Sequence, residues 1–171
     1  MDFYDVLRGR HSIRAFQDKN VDPESAKRII DAAMSAPSAG NLQSYKVYIV
    51  SSPEAKAAIA GAAHYQEFLA KAPFILVFCA DQRRAEAKYE QRGFELYSIQ
   101  DATIACAYAQ LAVAEEGLGS VWVGSFDPLE VSRIVHAMGF EVPIAMLPVG
   151  HPAEPGKKSA RRPLKEMVKE V

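Results

Sequence analysis

The sequence predicts an α+β domain in which a central sheet lies between layers of helices. A chain of 171 residues with 49% hydrophobic and 24% charged content is long enough for a single domain, 1–171, with its own core. Candidate strands alternate with candidate helices, and the helices outweigh the strands. One strand candidate, FILVFCA at 74–80, is apolar throughout, which is typical of a strand covered on both faces.

The N-terminal half combines short helices with one further strand. Asp22, Pro23 and Glu24 form a typical helix start, with an aspartate N-cap and a proline in the first turn. That helix must end before Pro37, because the residue before a proline disfavours helical geometry. The predicted elements are a helix at 2–9, an extended segment at 10–16, the helix from 23, a loop at 37–44, a strand at 46–52, and helices at 53–63 and 66–71.

The longest predicted helix runs from about 94 to 116 and ends at Gly117. Its stretch 102–114 is small and apolar nearly all round, so the helix must be buried on every side. A domain of this size has limited room for such a helix, and we therefore expect a partner subunit to cover one face. Beyond it we predict a strand at 120–126, a helix that begins at Asp127-Pro128 and closes at Gly139, a strand at 143–150, and a basic, proline-rich tail at 151–171 that is weakly helical at its end.

Charge and composition argue against several classes of partner. The chain has 20 basic and 21 acidic residues, so it presents no general surface for nucleic acid or for membranes. No apolar run approaches the roughly 18 residues of a membrane span, and the N-terminus lacks the apolar core of a signal peptide. We expect a cytoplasmic protein in which Cys79 and Cys106 are reduced and buried.

Basic residues are placed at the two ends of the chain. Arg10, Ser12 and Arg14 occupy every second position of the extended segment, so their side chains leave the same side of the backbone. Two guanidinium groups that flank a hydroxyl suit a phosphate. Arg161 and Arg162 stand near the other end. In a chain of net charge −1 this pattern favours one small phosphorylated ligand, and solvated surface arginines are the alternative.

The loop at 37–44 is rich in turn-forming and amide side chains. Ser38, Asn41 and Gln43 offer donors and acceptors that suit the polar edge of a heterocycle. The alternative is a loop that only joins a helix to a strand.

A glycine-rich stretch, GLGSVWVGS at 117–125, superficially resembles a dinucleotide-binding loop. Trp122 stands where that motif needs glycine, and the stretch follows a helix and opens a strand, which is the reverse of the Rossmann order. Gly124 matters more, because a glycine at a strand end lets a flat ligand approach the backbone. A tight turn that leads into a buried strand is the alternative.

Four motifs, taken together in their order and spacing, resemble those of the nitroreductase family of FMN-dependent enzymes. They are the R-x-S-x-R segment, the PSAGNLQ loop, the GLG…WVG stretch and the late VGHPAEP…RRPL. The resemblance covers essentially the whole chain. It implies an α+β fold with a mixed central sheet between helical layers, and an obligate homodimer with a long buried interface helix and two FMN sites at the interface. We also expect the tail at 151–171 to pack on the partner subunit.

The resemblance implies roles for residues at both ends of the chain. Arg10, Ser12 and Arg14 would hold the ribityl phosphate and the pyrimidine side of the flavin, and Arg161 would complete the phosphate clamp. His11 lies within the same motif and is counted among the cofactor-binding residues without a role in proton transfer. A packing or hydrogen-bonding side chain is its alternative role.

The resemblance also implies roles for two inner segments. Ser38, Ala39 and Asn41 would approach the flavin from the other subunit. Val123 and Gly124 would lie under the isoalloxazine ring, with the Gly124 N–H near flavin N5. No catalytic side chain and no metal ligand is predicted, because the cofactor carries the redox chemistry.

The implied activity is that of an FMN-dependent NAD(P)H oxidoreductase. It would reduce nitroaromatics, quinones or similar small electron acceptors by hydride transfer in two steps through flavin N5. A flavin-binding carrier or redox sensor without turnover is the first alternative, and a helical interaction domain without a cofactor is the second. Larger family members carry inserted helices over the active site, whereas the polar segment at 81–96 has room only for a short mobile lid.

Overall fold

The structure is a computed structural model that describes residues 2–171. No helix within these residues has the length and apolar character that crossing a membrane requires. The strands are β1 (Tyr45–Val50), β2 (Phe74–Asp81), β3 (Gly119–Ser120) and β4 (Glu141–Gly150). The helices are α1 (Phe3–Gly9), α2 (Pro23–Met34), α3 (Pro53–Ala62), α4 (Phe68–Lys71), α5 (Gln82–Arg92), α6 (Ser98–Glu115), α7 (Pro128–Ile134) and α8 (Leu164–Met167), with a 3-10 turn at Ala39–Asn41 and a π-helical turn at Gly93–Tyr97.

The four strands form one sheet in the order β1-β2-β4-β3, and each neighbouring pair is antiparallel. The α+β class is therefore confirmed. We expected a mixed sheet. Within residues 2–171 the parallel component is a single isolated bridge, in which Ser12 of the N-terminal segment pairs with Ser120. The bridge attaches that segment to the edge of the sheet at β3.

Strand β2 lies between two apolar layers, as its composition predicts. Leu76 and Phe78 face one cluster, which includes Ile29 of α2 and residues of α6. Ile75 and Val77 face the opposite cluster, which is built on α3, α4 and α7. Because successive side chains of a strand point to opposite faces, an apolar residue at every position requires a cover on both sides.

The helix starts follow the expected capping chemistry. The Asp22 carboxylate accepts from the N–H of Ser25, and Asp127 accepts from the first turn of α7. Gly117 follows α6 in the left-handed conformation, with φ of 68°. The end predicted for α7 at Gly139 is wrong. The helix ends at Ile134, because left-handed His136 (φ 54°) directs the chain into the turn before β4.

The predicted strand at 120–126 is also wrong, since only Gly119–Ser120 form β3 and Val123 makes an isolated bridge to Met146. Hydrogen-bonded pairs of an antiparallel ladder recur at every second residue. The next such pair after Val123–Met146 would join Val121 to Pro148. Proline has no N–H to donate, so the ladder is interrupted there.

Helix α6 packs one face on the sheet and leaves the opposite face open in the single chain. Ala105 and Ala109 are fully buried, whereas Ala107 on the opposite face is exposed. Ile99 and Tyr108, at the two borders of the open face, are 38% and 40% exposed. The apolar open face agrees with the expectation of a partner subunit. The partner itself stays a prediction.

Both cysteines are buried and reduced, as expected. Burial raises the pKa of the Cys79 thiol to about 12 and also raises that of Cys106. Neither thiol is therefore a nucleophile near neutral pH.

Candidate functional site

The two ends of the chain meet along the sheet edge. The Ala153 N–H donates to the Ala15 carbonyl at 2.9 Å, and the Gln17 N–H donates to the His151 carbonyl at the same distance. The segment after β4 thus runs antiparallel to the N-terminal extended segment. This pairing returns residues 157–161 to the beginning of the motif that contains Arg10.

A basic cleft of about 320 Å³ opens where the two ends meet. Arg10 and Arg161 both line it, and neither forms a salt bridge with any residue in 2–171. The cleft contains no acidic side chain, so its potential favours an anion. Its lining residues are Leu7, Arg8, Arg10, His11, Ser12, Lys157, Lys158, Ser159 and Arg161.

Two glycines allow the close packing that shapes this cleft. A side chain at Gly156 would collide with His11 Cβ, and one at Gly119 would lie 2.9 Å from Ile13. The Ile13 N–H donates to the Ser120 carbonyl at 3.0 Å. His11 is therefore half-buried against the returning tail, and the structure supports a packing role for its ring.

Arg14 stands apart from the cleft. Its side chain is exposed and does not line the cavity, while its main-chain N–H donates to the Glu154 carboxylate at 2.8 Å. The structure thus brings Arg10, His11, Ser12 and Arg161 together and leaves Arg14 outside the group.

Ser38 and Ala39 line a second cavity, of about 510 Å³, together with residues of α6 and the π-helical turn. Asn41, the third residue expected here, is exposed and lies outside the cavity lining. The Arg84 guanidinium of α5 donates to the carbonyl of Leu42. The polar segment at 81–96, expected as a mobile lid, is therefore largely helical and bonded to this loop.

Asp101 is a site residue that the sequence analysis missed. It lies on α6, is 2% exposed, and accepts hydrogen bonds from the N–H groups of Ala39 at 2.9 Å and Ser44 at 3.1 Å. The sequence contains one signal for it: Asp101 is an acidic residue directly before the apolar stretch at 102–114. A carboxylate on the packed side of a helix needs partners in the fold.

Val123 and Gly124 lie farther along the same sheet edge and line neither cavity. Val123 is buried and exchanges two main-chain hydrogen bonds of 2.9 Å with Met146. Gly124 is exposed, and a Cβ there would meet only Trp122, with the indole nitrogen at 3.4 Å. At most about 14 Å of extended chain separates Gly124 from Ser120, the partner of the cleft residue Ser12.

Comparison with known proteins gives a consistent result. A protein-family model described as "Nitroreductase family" matches residues 7–66 and 61–151. A Bacillus subtilis protein named FMN reductase [NAD(P)H] is 34% identical over 92% of this chain and 68% of its own length. A Thermus thermophilus protein named NADH dehydrogenase is 31% identical over 93% of this chain and 91% of its own length. The solved structure of NfrA2 from B. megaterium superposes with a TM-score of 0.91 at 29% identity, covering 99% of this chain and 74% of that one.

Proposed function

This chain belongs to the nitroreductase family, and from that premise we propose that it is an FMN-dependent NAD(P)H oxidoreductase that reduces nitroaromatics, quinones or similar small acceptors. The enzyme class rests on the family match and on the names of relatives, one an FMN reductase [NAD(P)H] and another an NADH dehydrogenase. The choice of acceptors is the proposal's own extension.

The single observation that carries the proposal is the basic cleft between the chain ends. Arg10 and Arg161 present guanidinium groups without carboxylate partners in residues 2–171, and Ser12 adds a hydroxyl. Lys157 and Lys158 increase the positive charge. This donor set fits a phosphate monoester, because guanidinium groups form charge-assisted hydrogen bonds with phosphate oxygens.

The chain's own residues bind and orient the cofactor. Bound FMN would supply the redox chemistry, namely hydride transfer at its N5 atom between NAD(P)H and the electron acceptor. Arg10, Ser12 and Arg161 would hold the phosphate end. Val123 is fixed by its pairing with Met146, and we propose that it supports the ring together with Gly124. Gly124 is exposed, and the absence of a side chain there would let a flat ring approach the main chain.

We further propose a homodimer in which α6 supplies part of the interface. Ile99 and Tyr108 lie at the two borders of the open face of α6, which includes the exposed Ala107, and a second subunit would remove this apolar area from water. Leu164 and Met167 of the tail are 72% and 54% exposed, so the tail at 151–171 is proposed to pack on the partner. In such a dimer, Ser38, Ala39 and Asn41 would approach the partner's cofactor.

The test of the proposed function is whether the purified chain binds FMN and whether the bound flavin responds to nicotinamide. We expect a visible flavin spectrum that bleaches on anaerobic addition of NADH or NADPH and returns when a quinone or a nitroaromatic is added. A flavin band that persists with both nicotinamides supports the carrier or sensor instead. A protein that neither contains nor binds FMN contradicts both.

A further inference from the structure

The loop at 38–44 has a backbone conformation that needs external support. Gly40, Asn41 and Gln43 all lie in the left-handed region, with φ of 54°, 57° and 51°. For residues other than glycine this region is unfavourable, and such strain persists only where surrounding contacts determine the conformation. The residues before and after the turn must therefore be held by something outside it.

The carboxylate of Asp101, on helix α6, provides this support through two hydrogen bonds. One carboxylate oxygen accepts the Ala39 N–H at 2.9 Å, and the other accepts the Ser44 N–H at 3.1 Å. These two donors lie on either side of the three left-handed residues, so one buried group fixes the entry and the exit of the turn. Hydrogen bonds from backbone N–H groups to a carboxylate are among the stronger ones in proteins.

The two hydrogen bonds to Asp101 also affect which polar groups of the loop face the second cavity. The Ser38 hydroxyl accepts the Gln43 N–H at 2.9 Å, which leaves its own proton to be donated elsewhere. Ser38, Ala39 and Asp101 line the same cavity. The donors at the cavity wall are thus oriented by contacts that begin at Asp101.

We propose that Asp101 is a positioning residue for the flavin site: its carboxylate holds the loop at 38–44 in the one conformation that places Ser38 and Ala39 against bound FMN. The inference rests on the proposed function and deepens it, because it assigns a role to a residue whose carboxylate hydrogen-bonds the loop. Removing the carboxylate releases both ends of the turn and weakens FMN binding without a change at the phosphate cleft.

The test compares Asp101→Asn and Asp101→Ala with two controls. Asparagine keeps the shape and one acceptor, and alanine removes both. Ser44→Ala keeps the N–H that Asp101 binds and removes a hydroxyl that is buried without a hydrogen-bond partner in the described part of the chain. Ser98 lies three residues before Asp101 on α6, and its buried hydroxyl donates to the Phe94 carbonyl. Ser98→Ala removes that hydroxyl and therefore reports general destabilisation.

The readouts are FMN affinity by fluorescence titration and hydrogen–deuterium exchange of the peptide that covers residues 36–46. We expect the FMN dissociation constant to rise about tenfold for Asp101→Asn and further for Asp101→Ala, with faster exchange of the loop in both. Both controls should bind FMN like the wild type. A purely structural role would shift thermal stability and leave the affinity of the folded protein and the loop exchange unchanged.

Three outcomes overturn the inference. Wild-type affinity in both Asp101 variants overturns it and leaves the proposed function intact. An equal loss of affinity in Ser98→Ala also overturns it, because general destabilisation then explains the effect. A wild-type chain that binds no FMN overturns the proposed function and this inference together, and that result is seen before any variant is compared.

Discussion

Arg10 and Arg161 line the same cleft, although one follows the first helix and the other lies near the C-terminus. They meet because the segment after β4 pairs antiparallel with the N-terminal segment, as in the bridge between Phe16 and Pro152. Like charges brought together without a carboxylate partner repel each other. An anion bound between them therefore stabilises the local structure, and FMN phosphate is the anion that the family implies.

The first prediction concerns these two arginines. We expect Arg10→Ala and Arg161→Ala each to weaken FMN binding about tenfold to hundredfold, because a hydrogen bond to a charged group contributes about 1.5–3 kcal/mol. Fluorescence titration of the FMN-free protein measures the effect. Arg133→Ala is the matched control, because Arg133 is an exposed arginine paired with Glu130 on α7, away from the cleft. The phosphate assignment is wrong if both variants bind FMN like the wild type.

The second prediction concerns Gly124. A Cβ at this position would make only an ordinary van der Waals contact with the Trp122 ring, so Gly124→Val should fold and retain its oligomeric state. A branched side chain would displace or tilt the flavin ring, and hydride transfer depends on close alignment of the reacting atoms. We expect loss of FMN or of its reduction by NAD(P)H, measured by stopped-flow absorbance alongside circular dichroism. Ser125→Ala, which keeps the backbone path, should be much milder. Wild-type reduction in Gly124→Val would remove this segment from the flavin site.

The fold was predictable where the signal is local. Asp22-Pro23 and Asp127-Pro128 start helices because each aspartate accepts from N–H groups only two or three residues ahead. The strand predicted at 120–126 failed for a non-local reason, because Pro148 lies far along the chain and interrupts the ladder only once the strands are paired. The pairing of the strands, and therefore which residues lie opposite a proline, cannot be read from local sequence patterns.

The site was predictable where charged side chains repeat in a motif. Arg10 and Ser12 were identified from spacing, and their meeting with Arg161 came from the family resemblance. Asp101 was missed because its partners are backbone N–H groups, which every residue carries and which no motif marks. Arg14 does not line the cleft, because its main-chain N–H bonds to Glu154 and its side chain is exposed, and its role toward the flavin stays a prediction.

The third prediction concerns acid stability. Hydrogen bonds from Arg28 and from Ser25 lower the pKa of Glu116 from 4.5 to about 2, and the pair joins α2 to the end of α6. Because the folded-state pKa is depressed, this contribution is complete above about pH 4.5 and is lost as the pH falls toward 2. We expect the wild type to be more stable than Glu116→Gln at about pH 6, with a difference that shrinks below pH 4.5.

Urea unfolding midpoints at about pH 6 and about pH 3 measure that difference. Lys27, which pairs with Asp31 on the exposed side of α2, provides the control Lys27→Ala. A gap between wild type and Glu116→Gln that stays constant over this range would contradict the assignment.

The fourth prediction concerns assembly. We expect a homodimer, and we expect Tyr108→Glu to shift it toward monomer, because a charge would then lie at the border of the open, apolar face of α6. Ile49→Glu is the control, since Ile49 is a comparably exposed apolar residue on strand β1 at the sheet edge. Sedimentation velocity measures both. A stable, folded wild-type monomer would contradict the shared site.

The most direct test of the account is the visible spectrum of the purified chain before and after anaerobic NADH and then NADPH. We expect a flavin band that bleaches with at least one of the two and recovers when an electron acceptor is added. A colourless protein that fails to bind added FMN, or a bound flavin that neither nicotinamide reduces, would contradict it.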